Sequence, residues 1–295
     1  MNLLIHQAAL GDFVITFSIL RAWNEPTAVV SHWSKAQLAQ RMFPHVRPWD
    51  VELFEFSRLH AAKGPAALSP AVRELFEQSN LIVSFVSSGT DAWAANVKRL
   101  APAARLAFVE PRPPTAWKDH VCAWHQHELS RQGIQWPAQP VERIALRGAK
   151  GGPIVIHPGS GGREKCWPVQ RFEALMEALM TEGQCVQAIL GEVEAERWPG
   201  EAVTRWRQRY GATVLLSPAQ LYETLAEAAM FIGNDAGPTH LAAQMGLRTI
   251  ALFGPSDPRC WAPPGPQVTV LSPASPREMD WLAVERVVEA VKSPS

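Results

Sequence analysis

Short apolar runs alternate along the chain with longer segments whose apolar residues recur every third or fourth position. The runs "NLLIHQAA" (residues 2–9), "TAVVSHW" (27–33), "LIVSFVS" (81–87) and "RLAFVEP" (105–111) are of the first kind. Nearly continuous apolar character predicts strands buried on both faces, as in a parallel sheet with helical cover. Between them, "LGDFVITFSILRAW", "SKAQLAQRMF" and "SPAVRELFEQSN" carry helical spacing, with Ser34 and Ser69 as candidate N-caps. A further helix is predicted from Lys118 to Gln132, stopped by Gly133. The rhythm restarts in the second half. Strands are predicted in "PIVIHPGS", "CVQAILG", "MFIGND" and "RTIALFG", and helices in "PVQRFEALMEALMTEG", "LYETLAEAA", "GPTHLAAQMG" and "EMDWLAVERVVEAV".

The Gly-rich break "RGAKGGP" at 147–153 reads as a domain linker. The predicted fold class is therefore α/β, with two Rossmann-like domains whose parallel sheets face a central cleft. The expected domains are 1–148 and 149–277, followed by a C-terminal helix in 278–295 that can pack back on the first domain.

Composition narrows the function classes. Of 295 residues, 47% are hydrophobic and 19% charged, which suits a folded core, and the net charge is zero. A neutral chain offers no broad basic surface, so a nucleic-acid partner is not expected. The apolar part of "MNLLIHQAALGD" is too short for an export signal, and no run approaches the length that spans a bilayer. Cys122, Cys166, Cys185 and Cys260 form no CxxC pair, so reduced thiols in a cytoplasm are expected.

Three segments carry candidate chemistry. In "GNDAGPTH" (233–240), a buried strand hands over to a helix through Gly237 and Pro238. Free amides there, with the helix dipole, suit phosphate oxygens. Asp235 is a plausible N-cap, and a simple capped helix is the competing explanation. His240 follows in the first turn, where a buried structural role competes with a ligand-facing one. "ALFGPSDP" places a second turn beside the first, which favours a ligand site. In "HPGSGGREKCWP" (157–168), a strand empties into a Gly/Ser loop. Amides of Ser160 and Gly161 can hold phosphate oxygens, with Lys165 supplying charge. The loop is not a Walker A sequence. In "LGDFVIT" (10–16), Asp12 reads either as a helix N-cap or as a general base for a hydroxyl.

"DHVCAWHQHE" (119–128) holds three histidines, but His120, His125 and His127 do not share one helical face, so no metal site is expected. No DxD occurs in the chain, so the charge of a leaving diphosphate falls to Lys165 and helix N-termini.

Together, "GDFVIT", "HPGSGGREKCWPVQRF" and "GNDAGPTHLAAQMGLRTIALFGPSDP" followed by "WAPPG" resemble the glycosyltransferase family 9 heptosyltransferases, in order and spacing over nearly the whole chain. The resemblance implies a GT-B fold, a nucleotide-diphospho-sugar donor (typically ADP-heptose) and inverting, metal-independent transfer in lipopolysaccharide biosynthesis. It implies a lipid-linked or oligosaccharide acceptor, a cytoplasmic location that allows peripheral contact with the inner membrane, and no cofactor, since the donor is a substrate. By position, Asp12 resembles the catalytic base and Lys165 the residue that steadies the diphosphate. Ser160 and Gly161 fall on the phosphate loop, and Asp235, Ala236, Gly237 and His240 on the donor-binding loop and helix. Glu194 resembles the acid at the nucleotide ribose, with Glu192 as its neighbouring rival. Two positions depart from the pattern. Ala236 stands where a hydroxyl residue is common, and His6 where Lys or Arg is usual. A nucleotide-sugar epimerase of GT-B fold and a non-catalytic sugar-nucleotide-binding protein are the alternatives. A dehydrogenase is disfavoured because no GxGxxG follows the first strand.

Overall fold

A computed structural model describes residues 1–61, 68–135, 144–145 and 148–293. The chain forms two compact units, residues 1–139 and 140–295. The first contains β1 (Asn2–Ile5), α1 (Leu10–Ile15), α2 (Phe17–Ala22), β2 (Thr27–Ser31), α3 (Trp33–Met42), β3 (Val46–Asp50), α4 (Phe54–Arg58), α5 (Pro70–Glu77), β4 (Leu81–Ser84), α6 (Ala92–Leu100), β5 (Arg105–Phe108) and α7 (Val121–Arg131). Its sheet has the order β3-β2-β1-β4-β5, with every pairing parallel. β1 and β2 are buried along their whole length, as the continuous apolar runs require.

The second unit contains β6 (Ile154–His157), α8 (Val169–Thr181), β7 (Val186–Leu190), α9 (Glu192–Arg197), α10 (Gly200–Tyr210), β8 (Thr213–Val214), α11 (Pro218–Ala226), β9 (Met230–Asn234), α12 (Gly237–Gln244), β10 (Thr249–Leu252), α13 (Pro258–Trp261), β11 (Val268–Leu271) and α14 (Val284–Lys292). Its sheet order is β11-β10-β9-β6-β7-β8, again parallel. Each unit is thus doubly wound. The strand order reverses beside β1 and β4 in the first unit and beside β6 and β9 in the second. Ligands of such sheets bind where the loops part, beyond the carboxyl ends of those strands.

Several elements differ from the sequence expectation. The long helix expected over 10–23 divides at Thr16, whose hydroxyl donates to the Phe13 carbonyl at 2.6 Å. The expected cap Ser34 lies inside α3, which His32 precedes as N-cap, whereas Ser69 does cap α5 by accepting from the Val72 amide. Edge strand β3 was not legible because "VRPWD" lacks an apolar run. It tolerates Pro48 because an edge strand does not need every amide for its ladder.

The Gly-rich stretch belongs to the second unit. The Ala149 amide donates to the Ala228 carbonyl at 3.0 Å, and Ile144 is buried. The boundary between the units falls at 139/140, and that point, like residue 147 of the expected linker, lies outside the described residues. The closing helix, for which the sequence left packing on the first unit open, packs on α8 in the second. Val287 and Leu282 join Trp167, Leu175 and Leu179 in one buried cluster. Arg248 fastens its last turn, donating to the carbonyls of Ala290 (3.0 Å) and Val291 (2.9 Å).

Trp167 is the pivot of that cluster. Its ring is fully buried, and its indole N–H donates to the Leu282 carbonyl at 2.9 Å. Trp167→Ala is expected to destabilise the chain by about 3–5 kcal/mol, read as a lower urea midpoint. A loss below about 1 kcal/mol would show that the second unit does not depend on this packing.

Candidate active site

The best-organised polar cluster lies at the carboxyl ends of β6 and β9. Asn234, the last residue of β9, is fully buried. Its side-chain amide donates to the Pro158 carbonyl at 2.7 Å and to that of Gly159 at 3.3 Å, while its Oδ1 accepts from the Trp167 amide at 3.0 Å. One side chain therefore joins the start and end of the 158–167 loop to the end of the neighbouring strand. Ser160 adds a second tie, its hydroxyl donating to the Asp235 carbonyl at 2.9 Å.

Asp235 is the electrostatic centre. It is buried, with Lys165 Nζ 2.7 Å from one carboxylate oxygen and His240 Nε2 3.5 Å from the other. Its amide donates to the Leu252 carbonyl at 3.1 Å. Burial by itself would raise the Asp235 pKa. The hydrogen bond and charge of His240, and then Lys165, overcome this and hold it down to about 2. Asp235 is not the helix cap that the sequence suggested. The N-cap of α12 is Ala236, which has no side chain to offer, and Pro238 follows in the first turn. Pro238 has no amide N–H and the Thr239 amide donates to the Ala236 carbonyl at 3.0 Å, which leaves the Gly237 amide for another acceptor. Ala236 and Gly237 are partly exposed, as is the Lys165 side chain at 34%. Gly161 is exposed, and a Cβ added there would meet nothing.

A second acid stands beside this cluster. Glu194 is only 3% exposed, whereas Glu192 is exposed. Its Oε2 accepts from the Gly191 amide at 2.8 Å and lies 3.3 Å from His157 Nε2. Burial raises its pKa, but the hydrogen bond and charge of His157 and the Gly191 amide lower it overall. Gly159 is required here because a Cβ would overlap the Glu194 carboxylate.

The structure therefore brings Ser160, Lys165, Asp235, Ala236, Gly237 and His240 together, with Glu194 beside the loop that carries Ser160. Sequence reasoning missed His157, Gly159 and Asn234. A polar residue closing a central apolar strand was the available signal for His157 and Asn234.

Asp12 lies in the first turn of α1, in the first unit. It is not the N-cap: Ala9 is, and α1 has no side-chain cap. The histidines of 119–128 serve three separate roles. His120 caps α7, His125 is buried with Nε2 3.0 Å from the Pro111 carbonyl, and His127 is exposed and stacks on Trp124. Among the described residues, no group of three His, Cys, Asp or Glu side chains is arranged to hold a metal ion.

Known proteins supply the family. Residues 75–283 match the model of glycosyltransferase family 9 (heptosyltransferase), well over half the chain. The chain belongs to glycosyltransferase family 9. The match includes the whole β6/β9 cluster but not Asp12. This family 9 chain is 27% identical over 288 residues to lipopolysaccharide heptosyltransferase 1 of Pseudomonas aeruginosa, covering 87% of this chain and 79% of the relative. It is 30% identical over 131 residues to lipopolysaccharide heptosyltransferase 3 of Escherichia coli K12, covering 43% of this chain and 38% of that one. The chain spans between a third and two fifths of the length of the heptosyltransferase 3 relatives it matches. Its fold is similar to that of the E. coli heptosyltransferase WaaC with ADP, at a TM-score of 0.69 and 20% identity over 99% of both chains. The fold class is thus GT-B, built from two Rossmann-like units with parallel sheets.

Acid should dissect the Asp235 cluster. The folded chain binds the Asp235 proton more weakly than the unfolded chain does. The stability this contributes is complete above the ordinary aspartate value and fades as pH falls toward about 2. Asp235→Asn is therefore expected to be less stable than the parent by roughly 2 kcal/mol at pH 5, with the gap closing toward pH 2. Urea unfolding across that range measures it, and a gap that stays constant would contradict the assignment.

Proposed function

We propose that this chain transfers a sugar, heptose, from ADP-heptose to an acceptor hydroxyl of a lipopolysaccharide core or a related glycan. The observation that carries the reading is the β6/β9 cluster, in which a partly exposed lysine adjoins an uncapped helix N-terminus at the switch point of a doubly wound sheet. That arrangement suits a nucleotide diphosphate. The family match over these residues supports it, as does the fold shared with a heptosyltransferase that holds ADP.

In this reading the diphosphate of the donor sits on the amides that open α12, at Ala236 and Gly237, and on the 160–161 loop. Lys165 neutralises the charge that develops as the sugar departs. Asp235 and His240 fix the ammonium and the helix start. Glu194 faces the nucleoside end of the donor. Asp12 accepts the proton of the acceptor hydroxyl as its oxygen attacks the anomeric carbon, in one displacement that inverts configuration. Lysine and backbone dipoles supply the positive charge, so the step invokes neither a metal nor a cofactor. The acceptor is lipid-linked or oligosaccharide, and the reaction is assigned to the cytoplasmic face of the inner membrane, with peripheral contact. No described helix is long and apolar enough to cross a membrane.

Two experiments test the reading. In a thermal-shift panel of ADP-, GDP- and UDP-sugars, ADP-heptose is expected to stabilise the chain most. Lys165→Ala should weaken its binding about 10- to 100-fold. A preference for a UDP-sugar would overturn the donor assignment. Asp12→Asn is expected to keep donor affinity and lose about 10²- to 10⁴-fold in turnover. Near-normal turnover would remove Asp12 from the mechanism.

A further inference from the structure

Polar groups without a role in the transfer step gather at the carboxyl edge of the first unit's sheet. Ile5 is paired in register with Val30 on β2 and with Ser84 on β4. The next residues, His6, Ser31 and Phe85, therefore follow one another across that edge. His6 Nδ1 and Ser31 Oγ are buried without a hydrogen-bond partner among the described residues. Burial, and then the charges of His125 and Lys35, push His6 down to about 3. Burial likewise pushes His125 down to about 4, against the Pro111 carbonyl. Both imidazoles are neutral in the physiological range, His6 against Phe85 at 5.2 Å and His125 against the same ring at 5.0 Å.

Lys35 is different. It is the third residue of α3, where a cation opposes the helix dipole, and it is half-buried. Its Nζ reaches out of its own element to donate to the Ala8 carbonyl, 2.5 Å away. Ala8 adjoins Ala9, the N-cap of α1, and Asp12 lies in the first turn of that helix. A lysine in an unfavourable helical position therefore fastens the loop from which Asp12 is suspended. Burial lowers the Lys35 pKa, while the Asp12 carboxylate acts on it in the opposite sense.

We propose that Lys35 is a positioning residue for Asp12, pinning the β1–α1 loop through the Ala8 carbonyl. The inference rests on the reading of Asp12 as general base. The titratable groups at this edge include the two imidazoles His6, after β1, and His125, on α7, with Cys122 on α7 and Lys35 on α3; His32, the N-cap of α3, has Nδ1 2.9 Å from a Glu52 carboxylate oxygen. Arg21 on α2 lies over the Phe43 ring. The two imidazoles stay neutral, and burial pushes the Cys122 thiol up to about 11, so none of these three brings a charge to Asp12 between pH 5 and 8.

Lys35→Met removes the donor to Ala8, whereas Lys35→Arg keeps one, and thermal unfolding establishes that both variants are folded. With ADP-heptose as donor, kcat of Lys35→Met is expected to fall about 10- to 100-fold with the KM for ADP-heptose unchanged, and to recover in Lys35→Arg. Parent-like kcat in folded Lys35→Met, or a loss confined to the donor KM, overturns the proposal. Turnover retained in Asp12→Asn would instead defeat the base assignment on which it rests.

Discussion

Asn234 joins segments about seventy residues apart through one buried carboxamide. Its two donors and its acceptor are spent on Pro158, Gly159 and Trp167, so both ends of the β6 loop are held against the end of β9. That junction reaches most of the second unit's candidate site. Ser160 and Lys165 lie within the tethered loop, and Asp235 follows Asn234 directly. The junction exists because β6 and β9 are neighbours where the strand order reverses, and a buried amide there must find partners or carry a large desolvation penalty.

Around that junction the chain pairs its buried acids inward. Asp235 has its amide, carbonyl and both carboxylate oxygens engaged with Leu252, Ser160, Lys165 and His240. Glu194 is held by Gly191 and His157 in a space that only a glycine at 159 leaves open. Buried carboxylates persist only when paired in this way. Pairing the acids inward leaves Lys165 and the start of α12 at Ala236 and Gly237 as the partly exposed, electropositive face of the cluster, which is chemically suited to phosphate oxygens.

The first unit follows a different economy. Asp12 is not consumed by capping, and its helix is short and broken after one and a half turns. A short helix contributes little stability by itself, so its orientation depends on outside ties. Lys35 supplies one, from a neighbouring element, at the loop that opens that helix. The two units therefore place their candidate groups by different means, a buried amide in one and a half-buried ammonium in the other.

The sequence by itself determined the class of fold and nominated the candidate chemistry-bearing positions. Continuous apolar runs separated by helical periods fix a parallel, helix-covered sheet, because such strands have no solvent face to alternate toward. Gly237 and Pro238 at a helix start, with Ser160 and Lys165 on a Gly-rich loop, made an anion seat one reading of the sequence, beside a simple capped helix. The sequence could not show that Asp235 holds Lys165 instead of capping α12, that Asn234 is the junction, or that Lys35 reaches Ala8. Those contacts join residues between 27 and 76 positions apart. It also could not send α14 to α8, since an amphipathic face specifies that it will be covered but not by what. Local pattern encodes the element, and only the strand order decides which loop ends become neighbours.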